Sequence, residues 1–233
     1  MNIVASNATP IGAYGGITPV DESGLWDDEG ILKAVPAAFW GSTSIPQRIM
    51  FGHTYGIYSF PTIEAVKFIQ DAIAGRESQT IEIAAGMGQW AKALGIDATD
   101  SYLQQQQNTV ANYLVAGKKP APYGSHVRRF EAIEAVKNFR PNVVVAAWTT
   151  QKFREDKFCI SGNIDGVDEL RLLELVDEYI FIGNTSSHGD NIIFNDLAAN
   201  RLSHYCVNFL AHNVYSRAQK GSDFIIHLKR KGG

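Results

Sequence analysis

The chain has 233 residues, 45% of them hydrophobic and 19% charged, with 21 Lys and Arg against 24 Asp and Glu. That composition excludes a disordered, collagen-like or coiled-coil chain, and a net charge of −3 supplies no basic field that would recruit nucleic acid. At roughly 100–200 residues per domain, the length fits one domain with or without an appended segment. Cys159 and Cys206, without a Cys-x-x-Cys, make no cysteine zinc site and no metal is expected; one disulfide between them is conceivable, and buried thiols of a reducing compartment are the expectation. The N-terminus lacks a basic stretch followed by a long apolar one, and no apolar run approaches the roughly 18 residues of a membrane span. A soluble, cytoplasmic protein is the expectation.

Residues 1–50 are punctuated by Gly and Pro, which predicts an irregular arm with one short helix around Gly30–Phe39. Trp26, Phe39 and Trp40 are too apolar for a free tail, so the arm packs on the domain or lids a site. Pro61-Thr62-Ile63-Glu64 opens a helix with an apolar stripe that Gly75 stops. Then come a strand over Thr80–Ala84, a turn and short helix over Gly86–Leu94, and a second strand over Ile96–Thr99. Gln104–Leu114 reads as helix or loop and Lys118–Gly124 as loop. A third strand over Val127–Phe130 leads into a helix over Ala132–Phe139. Asn142–Ala147 and Tyr179–Gly183 are apolar without alternation, as strands covered on both faces are. A polar loop runs to Asp165, and a helix covers Val167–Val176. Asn191–Phe194 reads as a short strand and Leu197–Leu210 as helical. Val214–Ala218 and Phe224–Leu228 read as a terminal hairpin. This alternation predicts an α/β fold with a parallel sheet, whose ligands bind at the carboxyl ends of the strands.

The first of those strand ends is Glu82-Ile83-Ala84-Ala85-Gly86-Met87-Gly88. Glycines there let a backbone approach a ligand, and the next helix offers unpaired N–H groups; an ordinary turn uses the same residues. Asp100, 18 positions after Glu82, ends the second strand, placed to accept from ribose hydroxyls or to cap the next segment. Glu131, in Phe130-Glu131-Ala132, is placed to accept from an adenine amino group or to favour a helix start.

These residues resemble the first motifs of the class I S-adenosylmethionine-dependent methyltransferases, with Ala84 at the first glycine. The resemblance spans about residues 55–230. It is nearest to a little-described branch with a Tyr-Gly-Ile-Tyr-x-x-Pro-Thr lead-in, here Tyr55–Thr62. It implies a doubly wound, mostly parallel seven-stranded Rossmann-like sheet with a terminal antiparallel hairpin. Residues 1–54 would form an arm or lid on a binding domain of residues 55–233. It also implies S-adenosylmethionine as cofactor, held by Glu82, Ala84, Gly86, Gly88, Asp100, Glu131, Ala132 and Trp148. The Ala84 methyl is expected to weaken that binding without abolishing it.

Methyl transfer needs alignment more than a fixed catalytic motif. The fourth strand ends in Ala146-Ala147-Trp148-Thr149-Thr150, not the [DNS]-P-P-[YFW] of amino-methylating DNA enzymes. A small-molecule acceptor is therefore favoured over nucleic acid. Trp148 stacks on a flat ligand or simply packs. His188, beyond the fifth strand, is the general-base candidate, against the alternative of a surface histidine. Tyr58, His53 and Asn163 are the substrate-binding candidates, and Glu169 stays open. Two other functions compete. One is a non-catalytic Rossmann-like binding or structural module. The other is an NAD(P)-linked oxidoreductase, which the 14-residue step from Gly86 to Asp100 disfavours, since dinucleotide folds use roughly 20.

Overall fold

The computed structural model describes residues 15–153, 162–210 and 213–231. Its main sheet is seven-stranded, and its strands are β2 (Thr80–Ile83), β3 (Asp97–Asp100), β4 (Val127–Arg129), β5 (Val143–Ala147), β6 (Glu178–Asn184), β7 (Tyr205–Leu210) and β9 (Asp223–Arg230), in the order β4-β3-β2-β5-β6-β9-β7. The first five are mutually parallel, and β9 runs antiparallel between β6 and β7. Chain order reverses between β2 and β5, which makes their carboxyl ends the switch point. This is the doubly wound Rossmann-like sheet expected from the motif pattern.

The unbroken apolar strands follow from burial on both faces. Ile81, Ile83, Val144, Ala146, Tyr179 and Phe181 face helices α6 (Ala132–Phe139), α7 (Glu169–Leu175) and α9 (Ile192–Ala198). Their neighbours Val143, Val145, Ile180 and Ile182 face α3 (Ile63–Ile73) and α4 (Gln89–Leu94), where Ile69, Trp90 and Leu94 are buried. Because side chains alternate along a strand, consecutive residues fill two separate core layers.

Four expectations fail. The terminal hairpin pairs β9 with Tyr205–Leu210, not with residues 214–218. Within the latter, β8 (Tyr215–Ser216) pairs with β1 (Ser59–Phe60) instead. Sequence proximity suggested the wrong partner. Asn191–Phe194 is not a strand: the Asn191 side chain accepts from Ile193 N–H and caps α9. The helical reading of Leu197–Leu210 fails because α9 ends at Ala198 and the chain re-enters the sheet as β7. Finally, Cys206 is exposed on that edge strand, not buried. Cys159 lies outside the described residues.

The segment before β1 carries helices α1 (Ala37–Ser42) and α2 (Ile45–Tyr55), where Gly and Pro suggested mostly irregular chain. Pro46 sits in the first turn of α2, where its missing N–H is no loss, and Ser44 with Gln47 forms a capping box. The segment has its own core of Val20, Leu25, Leu32, Trp40 and Phe51, continuous with Ile57, Phe60 and Met87. Among the described residues no helix is long and apolar enough to cross a membrane.

Candidate functional site

The switch point brings the end of β2 beside the end of β5, and a non-glycine residue with positive φ follows each: Ala84 at +50° and Trp148 at +60°. Left-handed backbone costs an ordinary residue about 1–2 kcal/mol, so both strands leave the sheet under local strain. Ala84→Gly is expected to be close to neutral for stability. Strain relief is offset by a lost half-buried methyl, about 0.8 kcal/mol, and by the added freedom of the unfolded glycine. Ala84→Val, with a β-branched side chain at that φ, is expected to lose about 2 kcal/mol or more in urea unfolding. Equal stability of the two variants would remove the strain from this account.

Below the turn lies Glu82, 1% exposed, whose Oε2 accepts from the Ala91 N–H at 2.7 Å. That N–H is one of the unpaired donors of the first turn of α4, so the carboxyl ties β2 to the helix. Burial pushes it up to about 8, with the Ala91 bond opposing and the Asp100 charge adding. Asp100 ends β3. Its Oδ2 accepts from Gly86 N–H at 2.9 Å and its Oδ1 from Tyr102 N–H at 2.8 Å. Burial raises its pKa, against those same bonds. The Ser101 N–H and the Tyr123 hydroxyl also bond this carboxyl, so a ligand hydroxyl reaches it by taking the place of one of these donors.

Gly86 and Gly88 have different tasks. A Cβ on Gly86 would meet only Ala121 Cβ, at 3.7 Å. A Cβ on Gly88 would sit 2.4 Å from His126 Nε2 and 2.7 Å from Val127 Cγ2. So Gly86 lies under the Lys118–Gly124 loop, and Gly88 makes room for the approach to β4.

From Asp100 a row of polar and aromatic groups crosses the strand ends. Tyr102 and Tyr123 stack at 4.0 Å, and Gln104 N–H donates to the Tyr123 hydroxyl at 3.2 Å. Gln104 Oε1 accepts from Ala121 N–H at 2.7 Å. The Tyr58 and Tyr113 hydroxyls are 2.6 Å apart, the latter from α5 (Gln107–Val115), a helix with no buried residue. Tyr58 lies 6.0 Å from the Trp148 ring, and Trp148 meets His188 edge-on at 5.0 Å. Trp148 Nε1 is buried with no acceptor among the described residues.

His188, at the end of α8 (Thr185–His188), turns Nδ1 inward to accept from Asn184 N–H at 3.0 Å. Burial holds the ring down to about 4, so it is neutral at pH 7 with its proton on Nε2. That geometry suits a hydrogen-bond donor better than a general base. Beside it is a cavity of about 110 Å³ lined by Thr149, Thr150, Gln151, Ser187, His188 and Asn191. Behind that cavity Glu169 is buried, accepting from Tyr179 OH at 2.9 Å and Asn191 Nδ2 at 2.6 Å. Burial pushes Glu169 up to about 7, against those bonds.

Other sequence candidates lie apart from this row. Glu131 caps α6, its Oε2 accepting from Ile133 N–H at 2.9 Å, and Ala132 is buried in the core. Asn163 is exposed, its backbone bridged to Lys152. His53 is buried in α2 and is the exception: it follows Gly52, whose carbonyl accepts from Arg217 over the Tyr58 ring. Tyr102, Gln104, Tyr113, Tyr123 and Arg217, whose guanidinium lies 3.5 Å over the Tyr58 ring, were missed. A tyrosine or glutamine in a loop has no periodic signal, and only the tertiary fold brings these five together.

No family model matches the chain, and no curated protein does. Among solved structures, similar ones include a precorrin-6y C5,15-methyltransferase from Geobacter metallireducens at 12% identity, covering 73% of this chain and 89% of that one, with a TM-score of 0.41. The 23S rRNA methyltransferase ErmE follows at 9% identity, 73% and 68% coverage and a TM-score of 0.40. An S-adenosylmethionine-dependent O-methyltransferase from Thermotoga maritima is 8% identical, with 81% and 72% coverage and a TM-score of 0.38. At such identities the likeness is one of chain path.

Proposed function

We propose that this chain is a class I S-adenosylmethionine-dependent methyltransferase with a small-molecule acceptor. The observation that carries the reading is the switch-point pair: a glycine turn after the central strand, hydrogen-bonded from Gly86 to an acid that ends the neighbouring strand. The residues fit the cofactor. Asp100 stands where ribose hydroxyls would replace the Tyr123 hydroxyl, a Cβ on Gly86 would meet Ala121 only at ordinary contact distance, and the Trp148 Nε1–H is a buried donor that a ligand would satisfy. Glu82, Ala84 and Gly88 hold the turn in shape; Glu131 and Ala132, which start α6 after β4, would border the adenine only if the Glu131 carboxylate leaves its cap.

When bound, the cofactor supplies a sulfonium methyl group. The chain's own part is to orient and to exclude water. Trp148 and Tyr58 offer flat faces at the strand ends, His53 lies behind Tyr58, and Gly162, next to Asn163, lines the cavity beside His188. His188 presents its Nε2–H to an acceptor, and a base is required only for an acceptor that arrives protonated. Residues 1–54 act as an arm on the binding domain of residues 55–233, a role supported by the packing of residues 15–54 onto Phe60 and Met87. The −3 net charge keeps nucleic acid second among acceptors.

One observation favours a non-catalytic module instead: Ala121 already covers Gly86, and both Asp100 oxygens already hold backbone donors. Calorimetry separates the readings. The wild type is expected to bind S-adenosylhomocysteine, and Asp100→Ala to weaken that binding about tenfold to a hundredfold, the range for lost hydrogen bonds to a charged group. No binding at millimolar ligand would leave the module, and tight NAD(H) binding instead would mean an oxidoreductase.

A further inference from the structure

Beside the row of tyrosines lies a buried arginine that methyl transfer as such does not call for. Arg217 follows β8 and is 8% exposed. Its guanidinium lies 3.5 Å over the Tyr58 ring, and Nη1 donates to Gly52 O at 3.2 Å. The arginine stem fits only because position 52 is glycine: a Cβ there would sit 2.7 Å from Arg217 Cβ. Among the described residues its partners are a carbonyl and a ring, and no carboxylate pairs with it. A buried cation held by neutral groups alone is costly, and an anion beside it removes that cost.

Two more basic residues stand on the elements packed there: His53 follows Gly52 in α2, and Lys118 belongs to the loop whose Pro120 O would lie 2.3 Å from a Cβ on Gly56, at the end of that helix. Burial, then the charges of Arg217 and Lys118, hold the His53 ring down to about 4. Burial, then Arg217, lowers Lys118. At pH 7 His53 is therefore a neutral ring that can donate one hydrogen bond, while Arg217 and Lys118 carry the charge, and an anion between them would ease both their repulsion and the cost of burying Arg217.

We infer that Arg217, Lys118 and His53 form an oxyanion subsite that takes the carboxylate or phosphate group of a small ligand lying against Tyr58 and Trp148. The planar fork of arginine matches both groups. Assigning that group to a methyl acceptor or to the methionine carboxylate of the cofactor rests on the methyl-transfer reading; the subsite itself does not.

Calorimetric titration with inorganic phosphate tests it, with and without S-adenosylhomocysteine. Arg217→Gln is expected to weaken phosphate about tenfold or more and Lys118→Gln severalfold. Lys118→Gln lies on a loop and carries the test if thermal unfolding shows that Arg217→Gln has not folded. If the oxyanion belongs to the cofactor, S-adenosylhomocysteine competes with phosphate and weakens in Arg217→Gln, while 5′-methylthioadenosine, which lacks the amino-acid part, does not. If it belongs to the acceptor, phosphate and S-adenosylhomocysteine bind together and the variant keeps its cofactor affinity. Either result supports the subsite. Equal phosphate affinity in the wild type and the folded variants, or no phosphate binding to the wild type, overturns it, whether or not S-adenosylhomocysteine binds.

Discussion

Glu178→Ala is expected to lose about 2–3 kcal/mol of stability: it strips the buried anion from a cluster that stays charged, and the partial exposure of Arg76 and Lys229 keeps the loss below that of a fully buried pair. Glu178 opens β6 with its side chain 3% exposed. Arg76 Nη1 donates to its Oε1 at 2.6 Å, His227 Nε2 lies 2.8 Å from its Oε2, and Lys229 Nζ is 3.4 Å away. The same arginine donates to Ala72 O, so the cluster clips the end of α3 to the sheet. Burial alone would raise the Glu178 carboxyl. The Arg76 and His227 hydrogen bonds, with the charges of both, outweigh burial and bring it down to about 2. A carboxylate depressed in the folded state contributes stability that is present above its unfolded pKa and lost as pH falls through the folded one. Wild-type stability should therefore decline between roughly pH 4.5 and 2. In Glu178→Gln that share of the acid slope should be missing. Urea midpoints across this range decide it, and a loss under about 1 kcal/mol at pH 7 would show the cluster to be dispensable. The cluster sits at the amino ends of the strands, away from the candidate site.

Trp40→Ala should also be costly, at about 3–5 kcal/mol, the range for removing a large buried aromatic. Trp40 is 0% exposed, stacks on Phe60 at 4.3 Å and meets Phe51 edge-on at 5.3 Å. Phe60 belongs to β1 and Phe51 to α2, so this indole joins the N-terminal segment to the sheet domain. The effect should be regional, since the cavity opens at that junction. Limited proteolysis should cut residues 15–36 faster in the variant, while β2, β5 and β6 keep their protection from hydrogen exchange. Trp40→Phe, which keeps a stacked ring, should lose less. Unchanged stability together with an unchanged cleavage pattern would mean that the segment is held elsewhere.

Much of the sheet was legible in the residues. β5 and β6 announce themselves as short apolar runs without alternation, β2 as a β-branched run before a glycine turn, and α3 and α6 as capped stripes. Local sequence suffices there because burial on both faces, or on one helical face, imposes a pattern on the strand or helix itself. Segments that owe their form to distant partners were misread. β7 hydrogen-bonds to β9 and β8 to β1, neither pairing marked by anything nearby in the chain. The α2 helix was masked by a proline and glycines that turn out to stand at its start, within it and at its end.

The site divides the same way. Glu82, Gly86 and Asp100 could be found from sequence because a strand, a turn and a helix must succeed one another at short spacing to make a ligand loop. The sequence by itself determined the α/β class, the central strands and the glycine turn, since each rests on contacts within a few residues or on a burial pattern along one element. Only the tertiary structure decided that Gly88 makes room for His126, that His188 turns its basic nitrogen inward, and that Arg217 lies over Tyr58. Each of those outcomes depends on which distant group fills the space beside a side chain, and linear order carries no record of that.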